Sequence, residues 1–139
     1  MLHEVVAALI FQREKILLGK RSPKRKYIPN VWDVFGGHVE PGEGHAQTLV
    51  RELEEELGIK PTEWRYLETL TLSYSGTVNE PSEEWITHLY LVTEWIGTPS
   101  NRQPDEHSTI GWFSLEEAKQ LSLADPIYPT LFARYLPAE

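Results

Sequence analysis

Hydrophobic and polar positions divide the chain into short apolar runs set apart by polar turns. His3 to Phe11 is apolar almost throughout, and after a polar turn at Gln12–Lys15 a second run covers Ile16 to Arg21. Runs of this length, rich in β-branched residues and joined by a short polar break, predict a β-hairpin. Ser22 to Asn30 holds two prolines and predicts a loop, and Val31 to Phe35 a short strand closed by Gly36–Gly37; Pro41–Gly42 marks a turn. Gly44 to Leu57 then changes period. Ala46, Val50, Leu53 and Leu57 recur at helical spacing, with Gly58 placed for a left-handed C-terminal cap before Ile59.

Trp64 to Ser75 and Trp85 to Trp95 predict two longer strands, with a polar loop from Gly76 to Glu84 between them. Ile110 to Phe113 predicts another short strand. Ser114 and Glu117 form a capping box opening a helix to about Leu121, and Pro126 to Leu136 a final helix. Strands, a helix, more strands and then helices, with no repeat or linker, predict one domain over residues 1–139. Its class is α+β, an α/β/α sandwich with a mixed β-sheet.

Composition narrows what the domain can do. With 139 residues, 40% hydrophobic and 24% charged, it can bury a core. No cysteine is present, which removes disulfides, thiolate metal sites and cysteine nucleophiles. The apolar run Val5 to Phe11 is too short to span a bilayer and lacks the flanks of a signal peptide, so the expectation is a cytoplasmic protein without a membrane partner. The net charge of −8 repels nucleic acid and anionic membranes. An anionic substrate would need a divalent cation to screen that repulsion. The charge is uneven: Lys20, Arg21, Lys24, Arg25 and Lys26 form a basic block, whereas Glu40 to Glu56 is strongly acidic.

The helix carries the chemistry. Glu52, Glu55 and Glu56 lie three or four residues apart on one face. Like charges at that spacing oppose the helix by roughly 0.2–0.5 kcal/mol per pair. Near the C-terminal end the helix dipole disfavours each anion by about 0.3–1 kcal/mol. Breaches of local preference of this kind are expected at functional sites. Clustered carboxylates on a rigid helix suit a hard cation such as magnesium; a solvated acidic face softened by an Arg51–Glu55 pair is the competing reading.

From Gly37 to Ile59 the chain reads GHVEPGEGHAQTLVRELEEELGI. This stretch resembles the Nudix box, G-x5-E-x7-R-E-U-x-E-E-x-G-U with U aliphatic. Every fixed position matches: Gly37, Glu43, Arg51, Glu52, Leu53, Glu55, Glu56, Gly58 and Ile59. The resemblance implies a Nudix hydrolase in which Glu52, Glu55 and Glu56 ligate magnesium, with manganese as a substitute. It implies that Arg51 orients the carboxylates and that Glu43 does likewise or binds the metal through water. It further implies that the Gly37 carbonyl is a ligand and that one glutamate, of these or from outside the box, helps a water attack phosphorus. Phosphoanhydride hydrolysis needs in-line attack, charge neutralisation and an activated water. A metal and carboxylates supply these without a covalent nucleophile.

Outside the box, Glu106 in PDEHSTIGWF is expected to reach the metal or the water, with Asp105, Glu83 and Glu84 as weaker competitors. Arg21 and Lys20 are expected to face substrate phosphates, and Lys24 to Lys26 to lend positive potential from a solvated loop. Phe35, Trp32, Tyr74 and Trp85 are candidates for stacking on a base, with burial in the core as the alternative. His38, His45, His88 and His107 lack metal-ligand spacing and are expected to be structural or exposed, His38 lying near the phosphates.

Phe35 stands where MutT-type members carry proline before the paired glycines, which weakens a role in clearing oxidised purine nucleotides. The proline that marks some ADP-ribose hydrolases is absent, Pro61 being too close to the helix. The expected activity is nucleoside triphosphate pyrophosphohydrolysis on a small-molecule nucleotide. Hydrolysis of ADP-ribose or another nucleoside diphosphate derivative is the alternative. A non-catalytic nucleotide-sensing module is the reading from another class, and isopentenyl diphosphate isomerase, which needs a catalytic cysteine, is excluded. A homodimer remains open.

Overall fold

A computed structural model describes residues 2–25, 28–74 and 82–136. Lys26 and most of the Gly76–Glu84 segment lie outside them. Strands β1 (Leu2–Gln12) and β2 (Lys15–Arg21) form the expected hairpin, closing through Phe11 opposite Ile16. Its turn places Arg13 and Glu14 at φ 53° and 65°. Two successive positive φ values match the right-handed twist of the strands.

Short β3 (Trp32–Asp33) and β4 (Phe35–His38) follow, then α1 (His45–Leu57), the long strands β5 (Lys60–Tyr74) and β6 (Glu83–Ile96), β7 (His107–Phe113), α2 (Leu115–Lys119) and α3 (Tyr128–Tyr135). The main sheet path runs β3-β2-β1-β6-β5, with β4 on β1 and β7 on β2. Strands β1 and β6 are parallel and the other pairs antiparallel, so the sheet is mixed as expected.

The apolar run of β1 is continuous because helices cover both faces. Ala7, Leu9 and Phe11 point to a core closed by Ala118, Leu131 and Phe132 of α2 and α3. Val6, Ala8 and Ile10 point to a second core closed by Leu49, Leu53 and Leu57 of α1. The result is an α/β/α sandwich.

Two local expectations are corrected. Gly36 and Gly37 do not close a strand; they lie inside β4, paired with Ala7 and Val6. The chains run so close that a Cβ on Gly36 would sit 2.0 Å from the Val6 carbonyl oxygen. The buried stripe of α1 is Leu49, Leu53 and Leu57, whereas Ala46 and Val50 are half-exposed. Gly58 caps α1 at φ 71°, and Ser114 and Glu117 make the expected capping box. The last turn of α1 is tied to the segment ahead of β7, because Arg102 N–H donates to the Glu56 carbonyl at 2.9 Å and Ser100 N–H to that of Leu57 at 3.0 Å. Helix-end carbonyls need such partners, and here they hold the 100–106 segment against the acidic end of α1.

Candidate active site

Helix α1 and strand β4 meet at the glycine pair. Glu56, only 5% exposed, accepts the Gly36 N–H through Oε2 at 3.1 Å. Gly37 leaves room for Glu52: a Cβ there would lie 2.3 Å from the Glu52 carboxyl carbon. Glu55 is exposed and takes the Arg51 guanidinium at 3.3 Å, the expected i,i+4 pair.

Arg51 is the hub of the acidic end. Its Nε donates to Glu43 Oε2 at 2.7 Å and its Nη2 to Glu43 Oε1 at 3.0 Å, a bidentate pair. Nη1 donates to Glu52 at 2.9 Å, and Nη2 also to the His38 carbonyl at 3.0 Å. Thr48 adds a hydroxyl donor to Glu43 at 2.6 Å. Bidentate charge-assisted bonds fix geometry as well as charge. They hold the Glu43 carboxyl at a pKa of about 2.

Glu52 and Glu56 are in the opposite condition. Burial pushes Glu52 up to about 7, outweighing the Arg51 guanidinium, with Glu55 and Glu106 adding repulsion. Burial raises Glu56 well above the carboxylate range, with Glu52 and Glu106 adding to it. A buried Glu56 and a half-buried Glu52 thus lie beside a third carboxyl, with Arg51 offsetting only part of their charge, an arrangement that a bound cation would relieve.

Glu106 joins them from the turn ahead of β7. Its carbonyl accepts the Ser22 N–H at 2.8 Å, which anchors that turn to the end of β2. One ligand atom from each of Glu56, Glu106 and His107 lies within 4.8 Å of the others. Residue spacing missed His107. It is 4% exposed, with Nδ1 buried and lacking a hydrogen-bond partner, and burial depresses it to about 4, so the ring is neutral at pH 7. A register shift at Lys20–Arg21 sets His107 opposite Arg21. Bulges of this kind re-aim side chains beside active sites. The hard-oxygen set of Glu52, Glu56 and Glu106 beside an orphaned imidazole nitrogen fits a divalent cation.

Of these carboxylates, Glu56 lines a cleft of about 250 Å³, together with Arg21, Arg25, Tyr74, Trp85 and Tyr128. The other sequence candidates fall as follows. Arg21 lines the cleft, donating to the Ile28 carbonyl at 3.1 Å and to Asp33 at 3.4 Å. Lys20 does not line it, and Arg25, expected in a solvated loop that lends positive potential near the cleft, does. Phe35 borders the cleft but is 1% exposed and packs in the α1-side core against His107. Trp32 packs edge-on against Phe113, whereas Tyr74 and Trp85 line the cleft. His38 lines it. Asp105 and Glu84 are exposed, and Glu83 faces His3 at 3.2 Å. His45 and His88 are not isolated: they meet at Glu4.

The model of the NUDIX domain matches residues 1–135. The chain belongs to the NUDIX family. It is a Nudix hydrolase, and the site assembled by α1, β4 and the turn at Glu106 lies in that domain.

Among curated proteins it is 40% identical to the CTP pyrophosphohydrolase of Escherichia coli K12, over 94% of this chain and 89% of that one. It is 26% identical to the 8-oxo-dGTP diphosphatase of Buchnera aphidicola, over 88% and 85% of the two chains. Among solved structures, the solution structure of the E. coli ORF135 protein matches with TM-score 0.74 and 35% identity, over 99% of this chain and 95% of that one. Together with the mixed sheet between two helical layers, these matches give the α+β Nudix fold.

Proposed function

We propose that the chain is a magnesium-dependent nucleoside triphosphate pyrophosphohydrolase whose cation is held by Glu52, Glu56 and Glu106. The observation that carries this reading is the cluster of Glu56 with Glu106, in mutual repulsion with Glu52, at a cleft that Glu56 lines together with Arg21 and Arg25. A divalent cation bound there would neutralise charge on the phosphate oxygens and polarise the bond to be cleaved. The protein's own groups do the rest. Arg51 fixes Glu52 and Glu43 in place, the Gly36 N–H orients Glu56, and the Ser22 N–H pins the turn that delivers Glu106. Arg21 and Arg25 supply positive charge toward the phosphates. Glu55, exposed and held by Arg51, joins the ligand set from the outer side, and the Gly37 carbonyl is a further candidate ligand. Manganese, with the same preference for oxygen ligands, substitutes for magnesium.

The reaction consumes one water and releases a nucleoside monophosphate and pyrophosphate. Cytidine triphosphate heads the candidate substrates, because the relative that shares 40% of the sequence is named for it. The test is a hydrolysis screen with magnesium over the common nucleoside triphosphates, 8-oxo-dGTP and ADP-ribose. Release of pyrophosphate from a triphosphate supports the reading. Turnover of ADP-ribose alone would transfer it to nucleoside diphosphate derivatives, and binding without turnover would make the chain a sensor.

A further inference from the structure

Away from the box carboxylates, three elements converge at the first turn of α1. Glu4 comes from β1, His45 is the first residue of α1 and His88 lies on β6. One carboxylate oxygen, Glu4 Oε2, lies 2.8 Å from His88 Nε2 and 3.3 Å from His45 Nε2. The two imidazoles stack with centroids 3.8 Å apart and planes 21° from parallel. Their candidate ligand atoms all lie within 4.8 Å of one another.

The surroundings favour a bound ion over a simple hydrogen-bonded pair. His88 is buried, and its other ring nitrogen, Nδ1, lies 2.9 Å from Thr69 Oγ1, itself 2.7 Å from the Tyr66 hydroxyl. A hydrogen bond on the far nitrogen is how metal-binding histidines are oriented and their tautomer fixed. Glu4 is 48% exposed and His45 38%, so the cluster opens to solvent on one side, where a water would complete four-coordination. Glu4 is held ionised by its hydrogen bond to His88. Zinc takes nitrogen and oxygen donors at about 2.0–2.2 Å in a tetrahedron, so the stacked rings would have to splay apart to bring an ion into the plane of each.

We propose that Glu4, His45 and His88 form a second cation site, selective for a borderline divalent transition metal such as zinc. Two imidazoles and one carboxylate favour zinc, cobalt or nickel over magnesium, whereas the box carboxylates favour magnesium. His45 precedes Glu52 by seven residues, about 10 Å along the helix, so the two sites are separate. An ion here would fasten the start of α1 to β1 and β6, and so brace the helix that carries the box. The inference does not depend on which substrate the enzyme takes.

Zinc is titrated into the intact protein with magnesium in millimolar excess to fill the carboxylate site, and binding is followed by calorimetry and by thermal unfolding. One equivalent should bind and raise the melting temperature, with the ring nitrogen signals of His45 and His88 shifting in NMR spectra. His45→Ala, at the exposed edge of the cluster, should weaken zinc binding by at least about tenfold while leaving magnesium-dependent hydrolysis and the zinc-free melting temperature unchanged. His88→Gln should weaken zinc binding likewise. Absence of zinc binding by the wild type under these conditions overturns the proposal. So does unchanged affinity in both variants, which would place the ion elsewhere.

Discussion

At the scale of single residues, adjacent glycines separate structural from functional need. The nearest atoms that a Cβ at Gly37 would meet are the carboxyl group of Glu52, whereas at Gly36 it would meet the Val6 backbone at 2.0 Å. Gly37→Ala should therefore leave the fold intact but push Glu52 out of place. Magnesium affinity or kcat/KM should drop by about 10–100-fold, the range found when the support of a metal ligand is removed. Gly36→Ala should lower the melting temperature and the soluble yield instead. If Gly37→Ala kept full magnesium affinity, Glu52 would not be a ligand.

Glu56→Gln keeps an oxygen to accept the Gly36 N–H and removes a buried charge, so the protein should remain folded. It should lose about 100-fold or more in kcat/KM, assayed on the best triphosphate of the screen. The box residues were legible in the sequence because the chemistry demands particular side chains at fixed spacing within one helix and its flanking loops. Glu4 and His88 were not, because 84 positions separate them and only the parallel pairing of β1 with β6 unites them. His107 was hidden for a related reason. Its inward aim comes from a register shift, which leaves no pattern in the residues themselves.

At the scale of elements, α1 shows how a correct helix can carry a misread face. Ala46, Val50, Leu53 and Leu57 fit helical spacing, and so do Leu49, Leu53 and Leu57; the two stripes lie side by side. Packing selects the second, because Leu49 is fully buried against the sheet while Val50 borders a shallow outer groove beside Trp64 and Arg102. Leu49→Ala should then cost about 2–5 kcal/mol of unfolding free energy and Val50→Ala well under half of that. Comparable losses in chemical denaturation would mean that the face is wrongly assigned. The stripe's continuation adds a point about function: Glu56 sits beside Leu53 and Leu57 on the buried side, so the helix sends a carboxylate where packing calls for an apolar group. Periodicity places Glu52, Glu55 and Glu56 together on one face. The structure divides them into an exposed Glu55, a half-buried Glu52 and a buried Glu56.

At the scale of the whole molecule, the charge of −8 and the buried carboxyls couple folding to pH and to magnesium. Glu52 and Glu56 have folded-state pKa values above their ordinary 4.5, Glu52 at about 7. The folded protein therefore binds more protons at these two groups than the unfolded chain does as pH rises from about 4.5 to 7. Stability from them is complete below 4.5 and is lost as pH climbs through that window. His107 works the other way: depressed from 6.5 to about 4, it makes stability rise as pH goes from about 4 to 6.5. Glu43, held at about 2, contributes stability that is lost only as pH falls below 4.5 toward 2.

With a chelator present, the Glu52→Gln variant should gain stability relative to the wild type as pH passes from about 5 to 8, because the variant has no carboxylate to ionise. Magnesium binds the ionised carboxylates and only the folded chain gathers them, so its stabilising effect should grow over the same interval. The measurement is a set of urea melts across that pH range with magnesium or with chelator. A magnesium effect that is flat with pH, or that shrinks toward pH 8, would show that these carboxyls do not hold the cation. Equal effects in the wild type and Glu52→Gln would remove Glu52 alone from the site and leave Glu56 and Glu106 to hold it.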